Sequence, residues 1–293
     1  MNPTHRSPPA LVSVVIPSLN SAATLAEQLD ALAAQSYAGS WEVVLLDNGS
    51  TDGSDALALS WADRLPALRV WRVADRGISH VRNAARHAAK GDLLAFCDAD
   101  DIVVPGWLEA LVEASLRMDI VGGRLDDRTL NADDVVTWRG AMPVDEPLVP
   151  LGYLPFAPGG NCAVWADVID ALGGWDTGYV AGSDDVDFSW RAQERGYVVG
   201  YAPKAVIAYR YRADARALYK QYFRYGRTEV RLARRFAGVH RSSLADVLRL
   251  WTRLLKRVTA LRHPGNDRIV LLREMAYHGG RLYGSFRERT LIA

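Results

Sequence analysis

The sequence predicts an α/β protein with a Rossmann-like, mostly parallel, doubly wound sheet, helices on both faces, and a basic α-helical extension at its C-terminal end. Three observations carry that prediction. Short apolar runs alternate with segments of helical periodicity over residues 11–101. Three of the four runs close on acidic or polar residues at the same end. The near-neutral net charge of +1 conceals a reversal: residues 1–209 carry 15 basic and 28 acidic side chains (net −13), whereas residues 210–293 carry 20 and 6 (net +14).

The elements follow in order. VSVVIPSLN (12–20) reads as a strand buried on both faces and stopped by Pro17. Residues 20–35 place Leu25, Leu29 and Leu32 at helical spacing, with Asn20 or Ser21 as the cap. EVVLLDNGSTD (42–52) is a second strand running into a polar turn, followed by a helix over about 55–63. Residues 68–73 form a third strand, 78–90 a helix, and 93–97 a fourth strand. In the C-terminal part, residues 217–237 and 243–261 are expected to be helical, with Leu244, Val247, Leu248, Trp251, Leu254 and Leu255 on one face.

Composition narrows the class. With 49% hydrophobic and 24% charged residues, the chain matches ordinary globular proteins and can bury a sizeable core. No apolar run approaches the ~18 residues that span a bilayer, and the first apolar run, broken by Pro17, is too short for a signal peptide. Two cysteines, Cys97 and Cys162, make no disulfide framework. A cytoplasmic location is expected, at most peripheral on the inner face of the membrane.

The segment GDLLAFCDADD (91–101) is the most telling. An apolar run ends abruptly in Asp98, Asp100 and Asp101, and ligands of open α/β sheets bind beyond the carboxyl ends of the strands. Clustered carboxylates repel, and a hard divalent cation removes the conflict, since Mg²⁺ takes one or two carboxylates plus substrate phosphates. Helix capping is the competing explanation, and Asp101, ahead of Pro105-Gly106-Trp107, fits it. Asp47, opening the turn Asp47-Asn48-Gly49-Ser50, can accept the imino N–H of a nucleobase or merely build an ordinary turn. Neither a G-x-G-x-x-G nor a G-x-x-x-x-G-K-[ST] pattern occurs, so a bound diphosphate would need a metal. Arg82, near the start of the helix before the fourth strand, can meet a base or diphosphate, or remain a solvated helix residue.

VSVVIPSLN, VVLLDNGSTD, RGISHVRNAA, GDLLAFCDADD, GGNCAVWADVIDALGGWD (159–176) and GSDDVDFSWRAQERG (182–196) together resemble glycosyltransferase family 2 on a GT-A fold, over roughly residues 11–212. The resemblance implies a catalytic unit at 1–209, with a nucleotide-binding part at about 11–101 and an acceptor-binding part at about 102–209, and an extension at 210–293. It implies inverting transfer from a nucleotide-sugar, a UDP-sugar foremost, to a glycan or lipid-linked acceptor, with Mg²⁺ or Mn²⁺. Asp47 then matches the nucleobase acid, and Pro17 and Ser18 line base and ribose. Asp98 and Asp100 are the Asp-x-Asp pair, Asp100 the direct metal ligand and Asp98 reaching metal or ribose. Asp185 matches the catalytic base; Asp184 replaces the usual Glu beside it, and Trp175 replaces a frequent Phe on the acceptor wall. Asp187 is left to cap the following helix. A family His that completes the metal site is absent: Tyr209 stands there, leaving Arg210 or Arg212 to neutralise the diphosphate, water to complete the metal shell, or His240 to substitute.

A nucleotidyltransferase, or a glycan- or membrane-binding module on a degenerate fold, are the alternatives. The basic segment 210–293 suits either a solvated helical cover or an anionic membrane surface; no nucleic-acid motif accompanies its interleaved Tyr, Phe, Lys and Arg.

Overall fold

The first strand, β1 (Val12–Ser18), holds Val12, Val14, Val15 and Ile16 wholly out of solvent, which neighbouring β-branched side chains achieve only when both faces of a strand are covered. The computed structural model describes residues 5–140, 142–180, 182–260 and 266–292. In it β1 pairs in parallel with β2 (Trp41–Asp47), and β2 with β3 (Arg69–Arg72). β4 (Leu93–Cys97) flanks β1 on the other side, also in parallel. The crossovers carry α1 (Leu25–Ala33), α2 (Ser54–Leu59) and α3 (Ile78–Ala88). The predicted β–α alternation of residues 11–101 is therefore complete.

The second half is mixed. It contains β5 (Ile102–Val103), α4 (Trp107–Ser115), β6 (Ile120–Asp126), α5 (Asp133–Arg139), β7 (Asn161–Trp165), α6 (Ala166–Leu172), α7 (Asp184–Glu194) and β8 (Val199–Ala208). The eight strands form one sheet in the order β3-β2-β1-β4-β7-β6-β8-β5. β6 and β8 are parallel, but β7 runs antiparallel to both β4 and β6, and β5 antiparallel to β8. These reversals position the site. Pairing Cys97 with Asn161 sets the turn before β7 beside the end of β4, where the acidic cluster begins. Pairing Ile102 with Ala208 brings the residues after β8 back to the same cluster.

Among the described residues three helices follow β8: α8 (Ala215–Arg235), α9 (Leu244–Ala260) and α10 (Asn266–Glu288). Residue 261, the last of the second predicted C-terminal helix, lies outside the described residues. The charge reversal coincides with the end of β8, yet packing does not stop there. Val230, Leu232 and Ala233 of α8, with Phe236, share a buried cluster with Tyr179, Val186 and Trp190. α10 lies against α8 with backbones nearly touching: a Cβ on Gly226 would stand 1.9 Å from the Tyr277 carbonyl oxygen, and one on Gly280 2.1 Å from that of Phe223. Among the described residues no helix is long and apolar enough to cross a membrane. Cys97 and Cys162 are both buried free thiols.

Candidate active site

A cavity of about 520 Å³ opens at the carboxyl ends of β1 and β4. Pro17, Ser18 and Leu19 form one wall, Arg76, Gly77 and Ile78 another, and Asp98, Ala99 and Asp100 the floor. Arg210, Tyr211 and Arg212 close the side next to the acids. This is the place where α/β sheets take ligands.

The turn after β2 is fixed by its own side chains. The Asp47 carboxylate accepts from the Ser50 amide at 2.9 Å. Asn48 donates to the Val73 and Asp75 carbonyls and accepts from the Gly77 amide, tying this turn to the start of α3. Asn48 lines the cavity; Asp47 is buried behind it.

Asp98, Asp100 and Asp101 bring one carboxylate oxygen each within 4.8 Å of one another. Burial, followed by the charge of Asp100, raises the Asp98 pKa to about 6 against the pull of Arg82. Burial, then the charges of Asp98 and Asp100, raises that of Asp101 to about 9. One Asp101 oxygen accepts from the Arg210 amide at 2.7 Å; the other is buried without a partner. Three oxygen donors that repel each other, one of them orphaned, fit a hard divalent cation. Such a site should lose Mn²⁺ affinity as pH falls through about 9 and again through about 6, where Asp101 and then Asp98 take up protons, and Mn²⁺ titration across that range would read it.

Across the Gly159-Gly160 turn lies a second acidic group. Asp185 accepts from the Gly159 amide at 3.0 Å and from the Val186 amide at 2.9 Å. Asp184, buried, accepts from the Arg82 guanidinium at 2.5 Å. Burial works against the Arg82 charge, yet Asp184, Asp185 and Asp98 together hold its pKa above the usual guanidinium value. Asp185 is pushed up by burial and by Asp184, with Arg82 opposing. The two glycines are spacers: a Cβ on Gly159 would stand 2.1 Å from an Arg82 nitrogen, and one on Gly160 2.4 Å from an Asp98 oxygen. One buried cation is thus packed between the acid at the end of β4 and the acids that open α7. Ser183, just before them, holds φ +67 and hydrogen-bonds Thr228 of α8 at 2.9 Å, so the extension helps fix the start of α7.

The family model described as "Glycosyl transferase family 2" matches residues 13–170, more than half of the chain, and that of glycosyl transferase family group 2 matches residues 93–277. The chain belongs to glycosyl transferase family 2. Among curated relatives, glycosyltransferase AglE of Haloferax volcanii is 27% identical over 75% of this chain and 73% of its own length. A UDP-Glc:alpha-D-GlcNAc-diphosphoundecaprenol beta-1,3-glucosyltransferase, WfgD of Escherichia coli, is 32% identical over 38% of this chain. The match spans 43% of WfgD, and 36% of the E. coli glycosyltransferase YibD, so these alignments cover less than half of each relative. Mannosyltransferase PcManGT from Pyrobaculum calidifontis, solved with GDP-Man and Mn²⁺, superposes with a TM-score of 0.60 at 20% identity, covering 97% of this chain and 77% of that one. S. aureus TarS, solved with UDP-GlcNAc, gives 0.55 at 16% identity over 95% and 92%. Fold and family agree with the sequence resemblance, and the nucleotidyltransferase and binding-module alternatives give way to a glycosyltransferase.

In this glycosyltransferase the predicted residues fall into three groups. Pro17, Ser18, Asp98 and Asp100 line the cavity, with Asp47 immediately behind. Asp185, the expected base, does not line this cavity; it is partly buried across the Gly159-Gly160 turn from Asp98. Three others are not where a ligand would touch them. Arg82, expected at base or diphosphate, is 5% exposed and turned onto Asp184. Asp184, expected to face an acceptor, is consumed by that pair. Trp175, expected on the acceptor wall, is a core residue, stacked on Phe188 at 4.2 Å and edge-on to Phe96. Asp101 does not cap α4, whose N-cap is Gly106; it answers Arg210 instead. Asp187, expected only to cap, is wholly buried and forms ion pairs with Arg191 and Arg235. His240 is exposed near Asp246 before α9, away from the acids. Arg210 donates to the Asp100 carbonyl at 2.8 Å and to Glu27 at 2.7 Å, which places a cation on the cavity wall. Tyr211, which sequence reasoning passed over, lines the cavity beneath the Arg139 guanidinium, 4.5 Å from its ring centre.

Proposed function

We propose that this enzyme transfers a sugar with inversion from a nucleoside diphosphate-sugar, a UDP-sugar foremost, to a hydroxyl of a glycan or lipid-linked saccharide, with Asp185 as base and Mg²⁺ or Mn²⁺ on Asp100 and Asp98. The observation that carries this reading is the pair of carboxylate groups on either side of the Gly159-Gly160 turn, one grouped for a cation and one held by amides. The GDP-Man, Mn²⁺ and UDP-GlcNAc bound by its structural neighbours support the ligand class. The orphaned Asp101 oxygen makes a third donor to the same cation, in place of the His absent at Tyr209.

The chemistry divides between the two groups. Pro17, Ser18 and the Asp47 turn seat the nucleoside, and Arg210 and Arg76 face the diphosphate from the cavity walls. Asp185 takes the proton of the acceptor hydroxyl as its oxygen bonds to the anomeric carbon. The bond from that carbon to the diphosphate oxygen breaks, and its electron pair leaves with the diphosphate. When bound, the cation supplies charge compensation for that leaving group. Asp185 stays a base only while ionised, and its pKa is raised, so the rate falls as pH is lowered through a value above the usual ~3.9 of aspartate.

A thermal-shift panel of nucleoside diphosphates and nucleotide-sugars, with and without Mn²⁺, tests the donor class. A bound ligand at a hundred times its Kd stabilises by about 2.7 kcal/mol. A uridine ligand with Mn²⁺ is expected to give the largest shift, and no Mn²⁺-dependent shift with any nucleotide would overturn the reading. Asp100 is exposed, so Asp100→Ala should change stability by less than ~0.5 kcal/mol yet abolish the Mn²⁺-dependent part of the shift.

A further inference from the structure

α9 presents two apolar faces where the sequence suggests one. Val247 and Leu254 are buried against the protein. Leu244, Leu248, Leu255 and Val258 are between 43% and 65% exposed, and Trp251 is half-buried. At 100° per residue, these last five fall within an arc of about 80° beside the packed face. The result is a lengthwise stripe of large apolar side chains that the described residues leave uncovered. Soluble surfaces carry scattered apolar residues without consequence, but a contiguous stripe on one helix marks a contact.

Charge identifies what it contacts. Arg249, Arg253, Lys256 and Arg257 occupy the rest of α9 against a single acid, Asp246. Arg249 and Arg257 do form ion pairs, with Asp246 and Glu274, but both arginines are about half or more exposed, so the pairs leave the field of the segment positive. That field belongs to a stretch of net +14 that follows one of net −13 in the chain; Arg210, Arg231 and Arg235 of it pair with acids of the body, and the cations of α9 remain for an anionic surface. A second copy is a poor occupant, because a two-fold contact would set two such regions face to face.

We propose that α9 docks on an anionic lipid bilayer, burying Leu244, Leu248, Trp251, Leu255 and Val258 at the headgroup–acyl boundary while its cations meet lipid phosphates. Apolar burial and attraction to anionic headgroups act together in helices of this kind. The helix lies in the interface and does not span it. The purpose of such docking, presenting the enzyme to a lipid-linked acceptor, rests on the proposed function; the binding itself does not.

Flotation of the full chain with vesicles separates the two, because it needs neither donor nor acceptor. Phosphatidylcholine vesicles containing phosphatidylglycerol are expected to carry the protein up the gradient, and phosphatidylcholine alone is not. The triple variant Leu244→Ser, Leu248→Ser, Leu255→Ser should partition at least tenfold less, with its melting by circular dichroism unchanged. Leu248→Ser alone, expected to weaken partition severalfold, replaces it if the triple variant fails to fold. Leu59→Ser, at an equally exposed position on α2, should leave partition unchanged. Raised salt should reduce binding of the parent. The proposal is overturned if the parent ignores anionic vesicles, if neutral vesicles bind it equally, or if the serine variants bind as the parent does. It is also overturned if sedimentation equilibrium shows a dimer that those variants dissociate, since the stripe would then be a contact between copies.

Discussion

Asp185→Asn is expected to lower kcat by about 10²–10⁴-fold, the usual worth of a positioned general base, and to leave affinity for the nucleoside diphosphate unchanged. The substitution keeps the shape, and with its one oxygen turned to the Gly159 amide it holds the turn before β7, giving up only the local bond from the Val186 amide, which goes to the other carboxylate oxygen. It removes the basic site. Isothermal titration with UDP and Mn²⁺ beside single-turnover transfer would read the two quantities separately. Loss of both together would make Asp185 a structural acid that holds the Gly159-Gly160 turn, and the proposed mechanism would then lack its base. With Mn²⁺ held saturating, so that proton uptake by Asp98 does not limit the rate, the variant should also lose the acid-side fall that the raised pKa of Asp185 sets.

The first half of the sheet was legible because of how it is buried. Strands covered on both faces must be apolar throughout, so β1, β2 and β4 stand out as continuous runs, and the polar residues that end them mark the rim of the sheet. The place of Asp98 and Asp100 at that rim is readable on that basis; what they bind there is not. The second half obeys a different rule. β5 is two residues long, and β7 runs directly into α6, so neither presents a pattern that distinguishes strand from turn or helix. The antiparallel placement of β7 between β4 and β6 is a property of the assembled sheet.

The same distinction explains the misplaced side chains. An arginine with glycine and asparagine nearby looks like a ligand contact, and nothing within α3 announces that Arg82 meets an acid 102 positions away. Trp175 belongs to a motif associated with the acceptor, but its ring is claimed by Phe96 and Phe188 from two other elements. Asp101 depends on the β5–β8 pairing, which delivers the Arg210 amide to it. Helical periodicity correctly found the apolar side of α9, and could not divide it into packed and open faces, because that division is made by the protein beneath it.

Arg82→Met should be the most destabilising change in the site. Methionine replaces the apolar stem of the arginine and stays compatible with α3, but Asp184 would be left buried without its partner, and Asp98 and Asp185 would lose the charge that opposes their mutual repulsion. Breaking a buried ion pair from one side costs about 3–5 kcal/mol. Urea denaturation would report it as a lowered midpoint at unchanged slope. Removing both partners, Arg82→Met with Asp184→Leu, should cost less than the sum of the single changes, since the orphaned charge disappears with its partner. The pH dependence has a definite sign. Arg82 lowers the pKa values of Asp98 and Asp185, which burial and neighbouring acids have raised. Without it both rise further, and a carboxylate with a raised pKa loses stability for the fold as pH climbs through that value. The deficit of Arg82→Met should therefore be smaller in mildly acid solution, where Asp98 is neutral, and grow as pH rises through and above about 6. A deficit independent of pH would mean that Arg82 contributes packing alone. If it contributes charge, Mn²⁺ should recover part of the loss, because a cation on Asp98 and Asp100 compensates the same acids from the cavity side.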